Sequence, residues 1–265
     1  MKKMFVVLAA TLICGAFFLT SCNKEKDLNV KEKIIGKWIV SDKDGQPMLT
    51  NDKVVLNFVS ASKAYVSASI NNNPEMGNVW IEVLENNVVI DGNKVTISGH
   101  PDEHTTVVEE YTVTAINDNE FTAILNATVT IDGTVVTSGE GSSFRFVKVT
   151  DDYSADIIGY WIGRMTSAES DYGDIDTHGW DFSGDGTFVY LTANAFNEMI
   201  ESEDEYADYF VAGNLLCTRW KNVGEGQEEH REWWEITING DNMYWTALRE
   251  RADGTTYTAT YEMTR

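Results

Sequence analysis

From residue 34 onward the chain alternates. In Tyr257-Thr258-Ala259-Thr260-Tyr261-Glu262-Met263-Thr264-Arg265, apolar and aromatic residues fall at nearly every second position with polar residues between them. A period of two sends successive side chains to opposite faces, so this run predicts a half-buried β-strand. Asp91-Gly92 and Asp132-Gly133 stand between such runs and predict type I′ hairpin turns, whose two central residues both need positive φ. Gly184-Asp185-Gly186, between Phe182 and Phe188, predicts a further turn. With only 3 prolines and many Val, Ile, Thr and aromatic residues, the pattern is that of an antiparallel β meander.

The meander is written twice. Ile34-Ile35-Gly36-Lys37-Trp38 returns as Ile157-Ile158-Gly159-Tyr160-Trp161, and Tyr111-Thr112-Val113 aligns with Trp234-Glu235-Ile236, both at an offset of 123. Asp118–Ala123 aligns with Asp241–Thr246 at the same offset, and Phe58 meets Phe182 at 124. The closing strands, Phe144-Arg145-Phe146-Val147-Lys148 and Tyr261-Glu262-Met263-Thr264-Arg265, correspond at 117. A steady offset that shortens late is the mark of duplication followed by loop trimming. The units expected are residues 34–149 and 157–265, each of ordinary domain size and each with about eight short strands.

Asn194 to Phe210 breaks the alternation. Phe196, Met199, Ile200, Tyr206, Ala207 and Phe210 fall at helical spacing, with Glu198, Glu201, Glu203, Asp204, Glu205 and Asp208 on the other face. This predicts one short amphipathic helix inserted in the second unit, which would place Phe196 and Phe210 near the mouth of that barrel.

The N-terminus reads differently again. Lys2 and Lys3 precede an apolar run from Met4 to Leu19, shorter than the roughly 20 residues of a bilayer-spanning helix. Leu19-Thr20-Ser21-Cys22 resembles the lipobox of bacterial lipoproteins. That resemblance implies a signal peptide over residues 1–21, cleavage before Cys22, diacylation of its thiol, and a location on a bacterial envelope membrane, the outer membrane foremost. Residues 22–33, polar and mixed in charge, are then the tether. Cys14 would leave with the signal peptide and Cys22 would carry lipid, so Cys217 has no partner for an intrachain disulfide and is expected to be a buried, inert thiol.

The formal net charge is −22, from 20 basic and 42 acidic residues. Such a surface repels phosphate backbones, so nucleic acid is not an expected partner.

The first-strand Gly-x-Trp, the eight-stranded meander and the basic residue on the last strand together resemble the lipocalin group, especially the lipocalin-like domains of Gram-negative envelope lipoproteins. The resemblance covers nearly all of residues 34–265 as two domains. It implies an all-β fold of two tandem eight-stranded antiparallel lipocalin-like β-barrels, each holding a non-catalytic binding module. In each copy the glycine (Gly36, Gly159) stands where the first strand bends at the closed end, and the tryptophan (Trp38, Trp161) plugs that end. On the last strand Lys148 shares a face with Phe144 and Phe146, and Arg265 with Tyr261 and Met263. Each cation can therefore lie over its tryptophan ring, an interaction of about 0.5–2 kcal/mol. These six are expected to be structural residues.

No nucleophile elbow, phosphate-binding glycine loop, zinc-protease helix or paired-cysteine motif is present, so neither an enzyme nor a cofactor is expected. His100 and His104 flank Pro101-Asp102-Glu103 and could clip a metal, but a polar turn accounts for them. Asp171, Asp174 and Asp176 match no standard calcium loop. Of the 8 tryptophans, six lie in the second unit. Trp180 and Trp234 are expected to point inward, and Trp233 and Trp245 outward as neighbours on paired strands, there either to stack sugar rings or, the favoured reading, to be buried against the other barrel. Two readings stay open at this point: a cavity for a small apolar or amphipathic ligand, or a surface that takes glycan or protein on Trp233 and Trp245.

Overall fold

The computed structural model describes residues 28–73, 77–167, 177–194 and 198–265, with nothing said of the side chains of residues 72, 73 and 137–140. It is all-β apart from a helical turn at Val30–Lys33 and a 3-10 turn at Thr50–Asp52. By internal contacts it divides into two compact units. The first ends at Lys148; the second holds Val149–Arg265 together with the short segments Met48–Val55 and Ala68–Asn71. Among the described residues no helix is long and apolar enough to cross a membrane.

The first sheet runs through β1 (Gly36–Lys43), β2 (Gln46–Pro47), β3 (Val54–Ser60), β4 (Lys63–Asn73), β5 (Gly77–Asp91), β6 (Lys94–Gly99), β7 (Thr105–Ile116), β8 (Glu120–Ile131) and β9 (Thr134–Val149). Neighbours in sequence are neighbours in the sheet, except that the two-residue β2 hangs on the outer end of β1. Because β1 also pairs with β9, eight strands close into a barrel. The alternating positions meet inside: Trp38 packs edge-on against Phe121 with ring centroids 5.1 Å apart, and Phe121 stacks on Phe146 at 4.5 Å. The Asp132-Gly133 hairpin has positive φ at both residues, as a type I′ turn requires. The other expected turn is displaced by one residue. Asp91 pairs with Lys94, so the loop is Gly92-Asn93, and only Gly92 has positive φ, the pattern of a type II′ turn.

The second sheet contains β10 (Gly159–Met165), β11 (His178–Phe182), β12 (Phe188–Ala193), β13 (Met199–Glu201), β14 (Asp204–Ala212), β15 (Leu215–Asn222), β16 (His230–Asn239), β17 (Asn242–Glu250) and β18 (Thr256–Thr264). Its order, β13-β12-β11-β10-β18-β17-β16-β15-β14, is the same meander with β18 returning to β10. This sheet curls without a closing ladder. Where β12 begins, an isolated bridge joins Thr187 to Asp208 of β14, beside a hydrogen bond from the Tyr209 N–H to the Gly186 carbonyl at 2.8 Å.

Two expectations are corrected here. The inserted helix does not form over its described residues: Asp204–Ala212 is strand β14, paired with β15, and Met199–Glu201 is strand β13 on β12. Tyr209 and Val211 pack on the interior cluster, so a period of two holds where helical spacing was read; the ladder on β15 outweighs a local propensity. The last part of the expected tether is also structured, since the turn at Val30–Lys33 buries Val30.

Candidate functional site

The ends of the two units are built alike. Trp38 and Trp161 are both fully buried, and each donates its indole N–H to the carbonyl four residues earlier, Ile34 and Ile157, at 2.6 Å. Lys148 Nζ lies 5.0 Å from the Trp38 ring centroid and Arg265 Cζ 4.6 Å from that of Trp161. Gly36 and Gly159 both sit at positive φ, +130° and +116°, where a Cβ is strained.

Above the Trp161 plug the interior of the second unit is filled with rings. Alternation on β11, β16, β17 and β18 brings Trp180, Trp234, Trp245 and Tyr261 together, with Trp180 and Trp245 centroids 4.9 Å apart and Trp234 and Trp245 5.3 Å apart. One step farther along the same faces the side chains turn polar. On β11 comes His178, on β12 Tyr190, on β15 Thr218 and on β16 Glu232. Tyr190 Oη and His178 Nδ1 are 2.5 Å apart. Burial, with the charge of Glu232 adding to it, pushes the Tyr190 hydroxyl up, so it keeps its proton. Trp234 Nε1 donates to Glu232 Oε2 at 2.9 Å, and the Arg249 guanidinium lies 4.3 Å from the Trp234 ring centroid.

Between the ring layer and this polar layer is a cavity of about 40 Å³. Its lining combines aromatic Trp180, Phe188, Tyr190, Trp220 and Trp245 with Thr218 and Glu232. Two of its residues, Phe188 and Tyr190, stand on the part of β12 that β13 does not pair, beside the open seam. The Trp245 side chain is 1% exposed, and its Nε1 has no hydrogen-bond partner. An orphaned buried donor costs about 1–3 kcal/mol.

The expected binding residues are therefore placed differently from their reading. Trp245 is not outward: it stands directly opposite Ile236, an interior residue, and cross-strand partners share a face. Trp233 does face away from the interior, but it is half-buried and donates its indole N–H to the Ser69 carbonyl at 2.7 Å, so no exposed pair of indoles exists. Phe210 is buried on the opposite face of β14 from Tyr209, away from the cavity, and Phe196 lies outside the described residues. Cys22 and the three aspartates Asp171, Asp174 and Asp176 also lie outside them. His104 bonds Asp132 through Nδ1 at 2.9 Å, His100 Nδ1 meets Thr106 Oγ1 at 3.2 Å, and no cluster of three metal-ligating side chains occurs among the described residues. Cys217 is fully buried, and burial pushes its thiol well up.

Sequence reasoning passed over Tyr190, Trp220 and Glu232. Glu232 was open to detection: it precedes Trp234 by two, so an inward Trp234 brings a carboxylate inward with it.

No family model matches the chain, and no curated protein matches it. Among solved structures it is similar to a protein of unknown function of the DUF3598 family from Nostoc punctiforme, at 10% identity over 90% of this chain and 98% of that one, with a TM-score of 0.26. It is similar also to a mutant of the vaccine antigen transferrin-binding protein B from Haemophilus parasuis, at 8% identity over 85% of this chain and 63% of that one, with a TM-score of 0.26. Intact transferrin-binding protein B with its N and C lobes gives 8% identity, 86% and 75% coverage and a TM-score of 0.24. These scores are too low to carry residue roles or partners across.

Proposed function

We propose that the protein is a non-catalytic binding protein, lipid-anchored through Cys22 to a bacterial envelope membrane, which holds a small apolar or amphipathic ligand inside its second unit. The observation that carries the binding reading is the cavity lined by Trp180, Phe188, Tyr190, Trp220 and Trp245 together with Thr218 and Glu232. Ligand sites combine apolar walls with a few placed polar groups, and this cavity has that make-up. At about 40 Å³ it is far smaller than the roughly 150 Å³ that holds a benzene ring, so only the tip of a ligand would enter it. The surface reading on outward Trp233 and Trp245 loses its premise with Trp245 inside. The test is native mass spectrometry of the protein purified from its own host. A retained small molecule, released on unfolding and absent from a Trp180→Ala variant, is the expected result. A protein that is empty in its host and binds nothing from a host lipid and metabolite extract would overturn the reading.

A further inference from the structure

A second hollow of the second unit lies outside its interior, where β10, β18 and β17 run side by side. It has a volume of about 280 Å³ and opens to solvent. Ladder register sets Arg164 opposite Glu262 and Glu262 opposite Tyr244, so these three form one row straight across the strands. Ile162, Thr264 and Asn242 form the next row, and all six residues line the hollow. The residues that alternate with them, Trp161, Met263 and Met243, belong to the interior cluster, so both rows face outward. Tyr244 is 42% exposed.

The polar groups of this row are unspent. Among the described residues Arg164 alone of the seven arginines makes neither a hydrogen bond nor an ion pair; the other six all make one or both. Glu262 stands directly across the ladder from it, where opposite charges attract and ordinarily pair. Yet the side chains of Glu262, Tyr244 and Asn242 have no hydrogen-bond partner among the described residues either. The first unit shows the same place when it is held. Arg145 stands 117 residues before Glu262, and its guanidinium is tied to Asp42 at 2.6 Å and to Glu120 at 3.2 Å.

The lining selects a guest by its hydrogen-bonding sense. Arg164 only donates, ionised Glu262 only accepts, and Asn242 and Thr264 do both. One positive and one negative group leave the lining without net charge, so an anion meets Glu262 and a cation meets Arg164. A neutral guest with neighbouring hydroxyls, each both donor and acceptor, satisfies every one of these groups. The electron-rich face of the Tyr244 ring attracts the slightly positive C–H groups on one side of a saturated ring. The hollow exceeds the roughly 150 Å³ that holds benzene, which leaves room for a six-membered ring with its hydroxyls.

We propose that this outward hollow is a sugar site, taking one neutral pyranose ring with a C–H face on Tyr244 and neighbouring hydroxyls bonded to Arg164 and Glu262. It is separate from the interior cavity, and each reading stands or falls without the other. The first unit, with Arg145 tied down by two carboxylates, has no such site.

The experiment is saturation-transfer NMR on the full chain, a method that reads weak binding. The probes are the methyl pyranosides of glucose, galactose, mannose and N-acetylglucosamine, with L-alanine as a zwitterion of similar polarity. At least one pyranoside is expected to receive saturation, strongest on the protons of one ring face, and L-alanine none. This panel uses the native protein, so it does not depend on a variant folding. Tyr244→Ala, checked by its melting curve, should abolish the signal, and Tyr244→Phe should keep most of it. Arg164→Ala should weaken binding roughly tenfold and Glu262→Gln severalfold. Silence from all four pyranosides would overturn the proposal. L-alanine binding better than every pyranoside would overturn it in favour of a zwitterion site. A pyranoside signal that survives both Tyr244→Ala and Arg164→Ala would overturn it by placing the sugar elsewhere.

Discussion

The Arg265 guanidinium lies over the ring of Trp161, 4.6 Å from its centroid, at the end of the second unit where the last strand meets the first. The tryptophan is fully buried, whereas Arg265 is exposed and also donates to the carbonyls of Asp156 and Gly240 at 3.2 and 3.3 Å. The two residues should therefore differ sharply in what they contribute. Trp161→Ala leaves a large hole in a packed interior and should cost about 3–5 kcal/mol. Arg265→Ala removes a surface-side cation–π contact and should cost about 0.5–2 kcal/mol. Urea unfolding followed by tryptophan fluorescence measures both. A Trp161→Ala protein that unfolds with its parent would show that the ring does not plug the barrel.

Gly36 and Gly159 allow a comparison between the copies. Both sit at positive φ, so alanine strains either backbone by about 1–3 kcal/mol. At Gly36 a Cβ would also come within 2.9 Å of Lys148 Cε, while at Gly159 it would meet nothing within 4 Å. Gly36→Ala should therefore cost less in a Lys148→Ala background than in the native chain, and Gly159→Ala should show no such coupling to Arg265→Ala. A double-mutant cycle on each pair reads this directly. Equal coupling in the two pairs would refute the distinction.

Much of this arrangement was legible because duplication shows every important position twice. Gly36-x-Trp38 gained meaning from Gly159-x-Trp161, and alternation placed Trp180 and Trp234 inside. The failures have one physical root, which is that a single-residue slip flips every side chain of a strand. The β7–β8 ladder is irregular between Val113 and Ala115, and the β16–β17 ladder has no such step. Interior Val113 and Ile236 are 123 apart, but their cross-strand partners Ala123 and Trp245 are 122 apart. An offset of 123 held across the turn sets Trp245 against Thr122, whereas the ladders set it against interior Ala123. Residues 194–210 misled for a different reason: acidic residues fell where a helix would be solvated, and nothing local encodes the ladder to β15.

The lipid anchor is tested at one atom. Cys22→Ala removes the thiol that the Leu19-Thr20-Ser21-Cys22 site would acylate. A lipid chain contributes about 0.8 kcal/mol per buried CH₂, so its loss should move the protein from the membrane to the soluble fraction. Fractionation of host cells and labelling with a radioactive fatty acid report the result. A variant that still sediments with membranes and still carries label would place any anchor elsewhere.

Cys217 should behave as a core residue. It is fully buried, and burial holds its thiol protonated far above neutral pH, so the thiolate that would react is scarce and covered. In native protein prepared with Cys22→Ala, iodoacetamide should leave Cys217 unmodified over hours, and full labelling should follow unfolding in urea. Rapid labelling of the folded protein would mean that the face of β15 carrying Cys217 opens readily.

The interior carboxylate of the first unit makes a prediction about pH. Burial pushes the Glu109 carboxyl above its ordinary range, against the opposing hydrogen bond from Tyr111. Tyr111 is itself pushed well up by burial and by the neighbouring carboxylate, so it stays protonated and remains the donor. With a raised value in the folded state, the folded chain takes up this proton before the unfolded chain does. Above the raised value both states are ionised, and the folded state alone carries the cost of a buried charge. As pH falls through that value toward the ordinary 4.5, the folded state is protonated first and stability rises, levelling off once the unfolded chain is protonated too. Glu109→Gln keeps the shape and an acceptor for Tyr111 but removes the ionisation. The variant should therefore be the more stable protein near pH 7, and its advantage should shrink as the pH approaches roughly 4. Urea midpoints of both proteins at the two pH values decide it. An advantage that is absent near neutrality, or that grows on acidification, would mean that Glu109 is stabilised as an anion by its surroundings.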